Sequence, residues 1–235
     1  MTEPYEQPRR AFLQQLVGAG AVVAGTSLLS GCAAATVNAH ATNSPSSAAP
    51  ASFDMTWTRR LARYRTAYDS PEVYSGAALS FGDALISGYK AVGVAESEVT
   101  PVLILRHAAS VMVLDDAIWE RLSLGESTKL KDPATGETAR RNPFIKYNAI
   151  DKHSVVDEDS ALDALIRRGA VVLTCNLALT GLASRLSAKE TQFTPEAALA
   201  ELKRHVLPGV YVMPSGIFAV SAAQDAGCHY MRVLI

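Results

Sequence analysis

Apolar and polar positions alternate along this chain in blocks that predict strands and helices in turn. Val102-Leu103-Ile104-Leu105 is a short continuous apolar run after Pro101, the pattern of a strand buried on both faces of a parallel sheet. Ala170–Thr174 and Val210–Met213 repeat that pattern, and Tyr230–Leu234 predicts a last strand. Val73–Leu79, made of small residues, is a further strand candidate. Helical spacing is read over Asp83–Val92, which stops at Gly93, and over Ser110–Leu122, Glu158–Arg168, Leu177–Leu186 and Ser215–Ala226. A further helix starts at Thr194-Pro195-Glu196, with Thr194 as N-cap and Pro195 in the first position. Phe53–Tyr68 carries Trp57, Leu61, Tyr64 and Tyr68 at near-helical spacing and reads as an amphipathic segment laid on the domain. Strands separated by helices imply βαβ units, hence a parallel sheet with helices on both faces. Between Asp132 and Phe144 turn chemistry replaces periodicity, and so long a connection is usually functional or a lid.

The N-terminal pattern is of another kind. Arg9-Arg10 precedes Phe12-Leu13, and an uncharged Gly/Ala-rich run extends from Leu16 to Leu29. That run is shorter than the roughly 20 apolar residues a membrane-spanning helix needs, and Gly18, Gly20 and Gly25 weaken it further. It reads as the h-region of a twin-arginine signal, although Pro8 stands where Ser or Thr is usual. Leu29-Ser30-Gly31-Cys32 is similar to the lipobox of bacterial lipoproteins, which makes Cys32 the lipidated first residue of the mature chain. The alternative is cleavage after Ala39-His40-Ala41. The expected organisation is a signal over 1–32, a flexible Ala/Ser/Thr/Pro-rich tether over 33–52, and one α/β domain over 53–235. The expected location is outside the cytoplasm, on the periplasmic or cell-envelope side, with the N-terminal lipid as membrane anchor.

Composition narrows the function classes. The 235 residues are 49% hydrophobic and 19% charged, with a formal net charge of -1, so no basic surface points to nucleic acid. There is no Walker loop, no G-x-G-x-x-G and no zinc-ligand spacing, so no cofactor is expected. Asp115-Asp116 is read as a helix-surface pair rather than a metal site. With Cys32 acylated, Cys175 and Cys228 remain. In an oxidising compartment they could form one disulfide, but Cys228 opens the last strand, away from Cys175.

Sites in open α/β sheets form beyond the carboxyl ends of the strands. Three such ends carry chemistry: Arg106-His107, Cys175-Asn176 and Pro214-Ser215-Gly216. A cysteine just before a helix feels the positive end of the helix dipole, which favours the thiolate, and a nearby His107 would favour it further. The bland alternative is that Cys175 is a small buried apolar residue and His107 a hydrogen-bonding one.

These residues also carry a resemblance. Gly169–Leu177, Leu207–Gly216 with its Pro-Gly-Val and Pro-Ser-Gly, Gln224–Tyr230, and Val102–His107 together resemble the DsrE/DsrF-like sulfur-relay family, over about Val73 to Ile235. The resemblance implies a three-layer α/β/α domain on a mostly parallel sheet of about five strands. It also implies a homo-oligomer, commonly a trimer or hexamer. In the sulfur-relay members a Cys at the strand–helix junction carries a persulfide, and Cys175 stands at that position. His107 would orient it, and Asn176, Ser215 and Gly216 would supply anion donors at helix starts, beside Arg106. Ala108 replaces the usual Gly after the His, and Cys228 stands where Tyr is common. An exported chain lacks the cytoplasmic partners of a sulfur relay and meets oxidants instead. The reading in competition is a non-catalytic oligomeric domain that binds a ligand or partner. A third option is a metal or haem-type site through His107 and His229.

Overall fold

The computed structural model describes residues 53–234; the signal, Cys32 and the tether over 33–52 lie outside the described residues. Five strands form one sheet, β1 (Tyr64–Ser70), β2 (Val99–Leu105), β3 (Val171–Cys175), β4 (Val210–Met213) and β5 (His229–Arg232). Their order is β4-β3-β2-β1-β5 and every pairing is parallel. The helices are α1 (Ala77–Ala91), α2 (Asp116–Arg121), α3 (Leu124–Thr128), α4 (Leu162–Arg167), α5 (Asn176–Lys189), α6 (Pro195–Arg204) and α7 (Gly216–Asp225). Short 3-10 turns cover Thr56–Arg60 and His107–Val113.

The strand order dictates the layers. From β1 to β4 the chain steps along the sheet in one direction, so its right-handed crossovers lie on one face. From β4 it returns to the far side of β1, and α7 therefore crosses the opposite face. The core divides accordingly. Leu103, Leu105 and Val172 point into the larger layer with Leu79, Ile86, Trp119, Phe144 and Leu165. Val102, Ile104, Val171 and Leu173 point into the thinner one with Trp57, Met213, Ala219 and Ala223. All residues of β2 and β3 are buried, as strands covered on both faces must be, whereas all four residues of β5 are exposed. This is the expected three-layer α/β/α architecture, with a sheet that is parallel throughout.

Two expectations for the N-terminal part of the domain are corrected. Phe53–Tyr68 is not one amphipathic segment: Trp57 belongs to the 3-10 turn and fills the thin layer, while Tyr64 and Tyr68 lie on β1. Spacing of four satisfies a strand's period of two as well as a helix's 3.6. On β1 it puts Tyr64 against Tyr89 and Tyr68 against Phe81, both on α1. Val73–Leu79 is not a strand either; it contains a 3-10 turn over Tyr74–Gly76 and the start of α1. Its small residues serve close packing of helix on sheet, which continues at Gly82, where a Cβ would stand 3.2 Å from Leu103 Cδ2. Ser110–Leu122 is also split, into the 3-10 turn and α2, where Asp115 caps the new helix by accepting from Ile118 N at 3.2 Å.

Arg121 ties the end of α2 to the two helices that follow β3. It grips Glu190 at 2.6 and 2.7 Å and Glu201 at 2.9 Å. These hydrogen bonds, Arg121 first and Arg204 next, hold the Glu201 carboxyl down at about 2 against an ordinary 4.5. A depressed carboxylate contributes stability that is complete above its unfolded value and is lost as pH falls through the folded one. The melting temperature is therefore expected to fall as pH drops from 4.5 towards 2, and Glu201→Gln should flatten that slope in thermal melts.

Candidate functional site

After β3 the chain turns to α5 on one face, and after β4 to α7 on the other. Neighbouring strands whose helices leave to opposite faces mark where an open parallel sheet forms its crevice. Cys175 and Met213 are level across it. Each strand leads directly into a helix through a side-chain cap. Cys175 Sγ accepts from Ala178 N at 3.4 Å, and Ser215 Oγ accepts from Phe218 N at 3.1 Å. Two helix N-termini, each with backbone N–H groups that have no partner inside the helix, thus begin at neighbouring strand ends, and the sulfur caps the first of them.

Arg106 follows β2, one strand over, and its N donates to Ser70 O at 3.0 Å. Its stem lies flat on the backbone of Gly216: a Cβ there would fall 2.4 Å from Arg106 Cβ and 2.6 Å from Cδ. Glycine is what allows this approach. The guanidinium donates to Asp69 through Nε at 2.6 Å and Nη2 at 3.1 Å, a two-pronged contact at the end of β1. Tyr230 on β5 donates its hydroxyl to Asp69 Oδ2 at 3.0 Å. Asp69 is only 3% exposed. Its hydrogen bond, followed by its charge, outweighs burial and raises the Arg106 pKa, to which negative charge on Cys175 also contributes. Burial and then Asp69 push the Tyr230 phenol upwards, so it stays a donor. Among the described residues Arg106 Nη1 makes no hydrogen bond, and the buried Oδ1 of Asn176 accepts none.

Arg106, Cys175, Asn176, Ser215 and Gly216 therefore stand at three adjacent strand ends, as the sequence suggests. His107 directly follows Arg106 after β2. It is exposed, takes a left-handed φ of 48°, and makes no side-chain hydrogen bond among the described residues. The cation whose charge is coupled to Cys175 is Arg106. Asp69 and Tyr230, which hold Arg106 in place, carry no sequence signal, because the spacing of Tyr64 and Tyr68 on β1 fits a helix as well as a strand. No local signal pairs them, since they lie 161 positions apart and meet only through the β1–β5 pairing.

The option of a metal site through His107 and His229 fails on register. His229 is level with Thr66 of β1, and Thr66 with Pro101 of β2. At about 3.3 Å of rise per residue, Leu105 already lies some 13 Å further along, and His107 follows it. Asp115 caps α2 and bonds His205 Nδ1 at 2.8 Å, while Asp116 accepts from Asn142 N at 2.9 Å. No cluster of three or more His, Cys, Asp or Glu side chains suited to a metal occurs among the described residues. Cys175 and Cys228 are both free thiols, separated by β2 and β1 in the sheet. No helix among the described residues is long and apolar enough to cross a membrane.

Compared with family models, with curated proteins and with solved structures, the chain matches none.

Proposed function

We propose that this chain is an exported DsrE-like protein in which Cys175 carries sulfur as a persulfide or exchanges it with thiols. The observation that carries the reading is the place of the Cys175 sulfur: it caps the first turn of a 14-residue helix at the end of β3, one strand over from Arg106. In the loading step the Cys175 thiolate attacks the outer sulfur of a donor R–S–SH. A new S–S bond forms on Cys175, the donor's own S–S bond breaks, and R–S⁻ leaves to take up a proton. Negative charge passes from one sulfur to another throughout, and the α5 N-terminus and Arg106 are placed to stabilise it without rearrangement. His107 has no part in this scheme. The twin-arginine pair, Cys32 and the tether would place the domain on the envelope side of the membrane, held by a lipid and working as a homo-oligomer.

Cys175→Ser is the natural control. Serine is a strong N-cap, so the start of α5 is kept while the nucleophile is removed. After treatment with a sulfane-sulfur donor the native protein should gain one sulfur atom by intact mass, and Cys175→Ser should gain none there. A native protein that gains no sulfur at Cys175 contradicts the carrier role.

A second reading, an oligomeric ligand- or partner-binding domain without catalysis, is favoured by one observation. Leu177, Ile217 and Phe218 expose large apolar side chains on the first turns of α5 and α7, while Cys175 itself is 7% exposed. A thiol probe separates the two. Labelling of Cys175 in the native state supports sulfur chemistry; labelling only after denaturation supports the binding domain.

A further inference from the structure

A cavity lies in the crossover from β2 to β3, and none of Arg106, Cys175, Asn176, Ser215 and Gly216 lines it. It is built in the stretch 129–161 between α3 and α4, which contains only an isolated bridge, Lys131 to Thr138. A connection of this length without regular structure is uncommon unless it has a task. This one is firmly pinned. Asn142, 7% exposed, donates through Nδ2 to Met112 O at 2.8 Å and Leu114 O at 2.7 Å and accepts from Phe144 N at 3.0 Å. Phe144 is fully buried, and Pro143 O accepts from Val155 N at 3.1 Å and Ser154 Oγ at 3.2 Å.

The pinned walls enclose about 290 Å³, lined among others by Asp116, Asp132, Arg141, Lys146, Asp151 and His153. That is the small end of the range for ligand pockets. The carboxylates are engaged within the protein. Asp116 accepts from Asn142 N, Asp151 from His153 N at 3.3 Å, and Asp132 from Ala134 N at 2.9 Å and from the His153 ring. Burial pushes the Asp132 carboxyl up, but the Ala134 N–H and His153 outweigh it and hold it below the usual range. The cations are not engaged: Arg141 and Lys146 have no ion-pair or hydrogen-bond partner among the described residues. His153 Nδ1 sits 2.5 Å from Asp132 Oδ2, which leaves Nε2 as the ring nitrogen without a partner among the described residues.

The unmet groups are thus two cationic donors and one imidazole nitrogen around a compact cavity. We propose that the cavity binds a small hydroxylated organic anion, with its oxyanion on Arg141 and Lys146 and a hydroxyl hydrogen-bonded to His153 Nε2. A hydroxy acid and a polyol phosphate share that chemistry. The two sources are separated by titrating the purified protein with malate and with glycerol 3-phosphate. Succinate, which lacks the hydroxyl, is the reference at matched ionic strength. The readout is the His153 ring signal in NMR, assigned by its loss in His153→Gln.

At least one of the hydroxylated anions should move the His153 signal saturably, and the tighter of the two names the headgroup. Succinate should bind about tenfold more weakly, the loss of one good hydrogen bond. Arg141→Gln with Lys146→Gln, both at exposed positions, should abolish saturation while signals elsewhere in the spectrum stay in place. The proposal is overturned if neither anion gives a saturable shift, if succinate binds as tightly as the tighter of the two, or if the double variant titrates like the native protein.

Discussion

Asp69→Ala is expected to destabilise the domain by about 3 kcal/mol, the lower part of the range for breaking a buried ion pair by deleting one partner. Asp69 is the only acceptor of the Arg106 guanidinium and of the Tyr230 hydroxyl among the described residues. Its removal leaves a largely buried cation at the end of β2 with nothing to neutralise it, and the Tyr230 phenol without its acceptor. The cost is held to the lower part of the range because the Arg106 side chain keeps 13% of its surface exposed and can recover some water. Urea unfolding measures the loss. The charge, not the packing, is its origin, so Asp69→Leu combined with Arg106→Met should recover much of the stability lost in Asp69→Leu alone. The same double variant should leave Cys175 without its cation and slow sulfur loading. Stability and loading would then move in opposite directions, which a purely structural ion pair does not predict.

Gly216→Ala is expected to cost about 2–3 kcal/mol, near the upper end for overpacking. The new Cβ would stand 2.4 Å from Arg106 Cβ, an atom tied directly to the backbone that follows β2. No rotamer of Arg106 relieves that contact, so α7 must lift or β2 must shift. Either movement separates the start of α7 from Arg106. The same change at Gly181, inside α5 with open space around its Cβ position, should instead stabilise by roughly 0.5–1 kcal/mol through better helix propensity. Thermal melts of the two variants, run side by side, are expected to shift in opposite directions.

How much of this was legible in the sequence follows from where each element lies. β2 and β3 stand out because central parallel strands are apolar runs with each residue buried, and β4, though an edge strand, is an apolar run too. β1 hides because its sequence is mixed: Arg65 reaches back to Ala62 O and Gly227 O, and Asp69 is kept for Arg106. α1 hides at its start because alanines and glycines that let a helix lie close on a sheet look, in sequence, like a small-residue strand. Cys175, Asn176, Ser215 and Gly216 were legible because a strand followed at once by a helix start fixes which end of the sheet they occupy. The choice between Arg106 and His107 was not legible. Adjacent residues leaving a strand point different ways, and only the left-handed turn at His107 and the distant Asp69 decide it. The cavity around His153 was visible only as an unusually long connection, since Asp132 and His153 meet through tertiary folding.

The sulfur chemistry of Cys175 is tested most directly by asking which cysteine of the native protein takes up sulfur. Cys228 is the internal reference, a buried thiol whose pKa is raised by its burial, with the nearby Arg65 offsetting this only in part. The native protein is treated briefly with a sulfane-sulfur donor, trapped by alkylation, digested and mapped by mass. The account predicts added sulfur on the peptide carrying Cys175, little on the one carrying Cys228, and about a tenfold slower appearance at Cys175 in Arg106→Met, equivalent to one lost charge-assisted contact. Sulfur on Cys228 at an equal rate, or a Cys175 rate indifferent to Arg106, would contradict it.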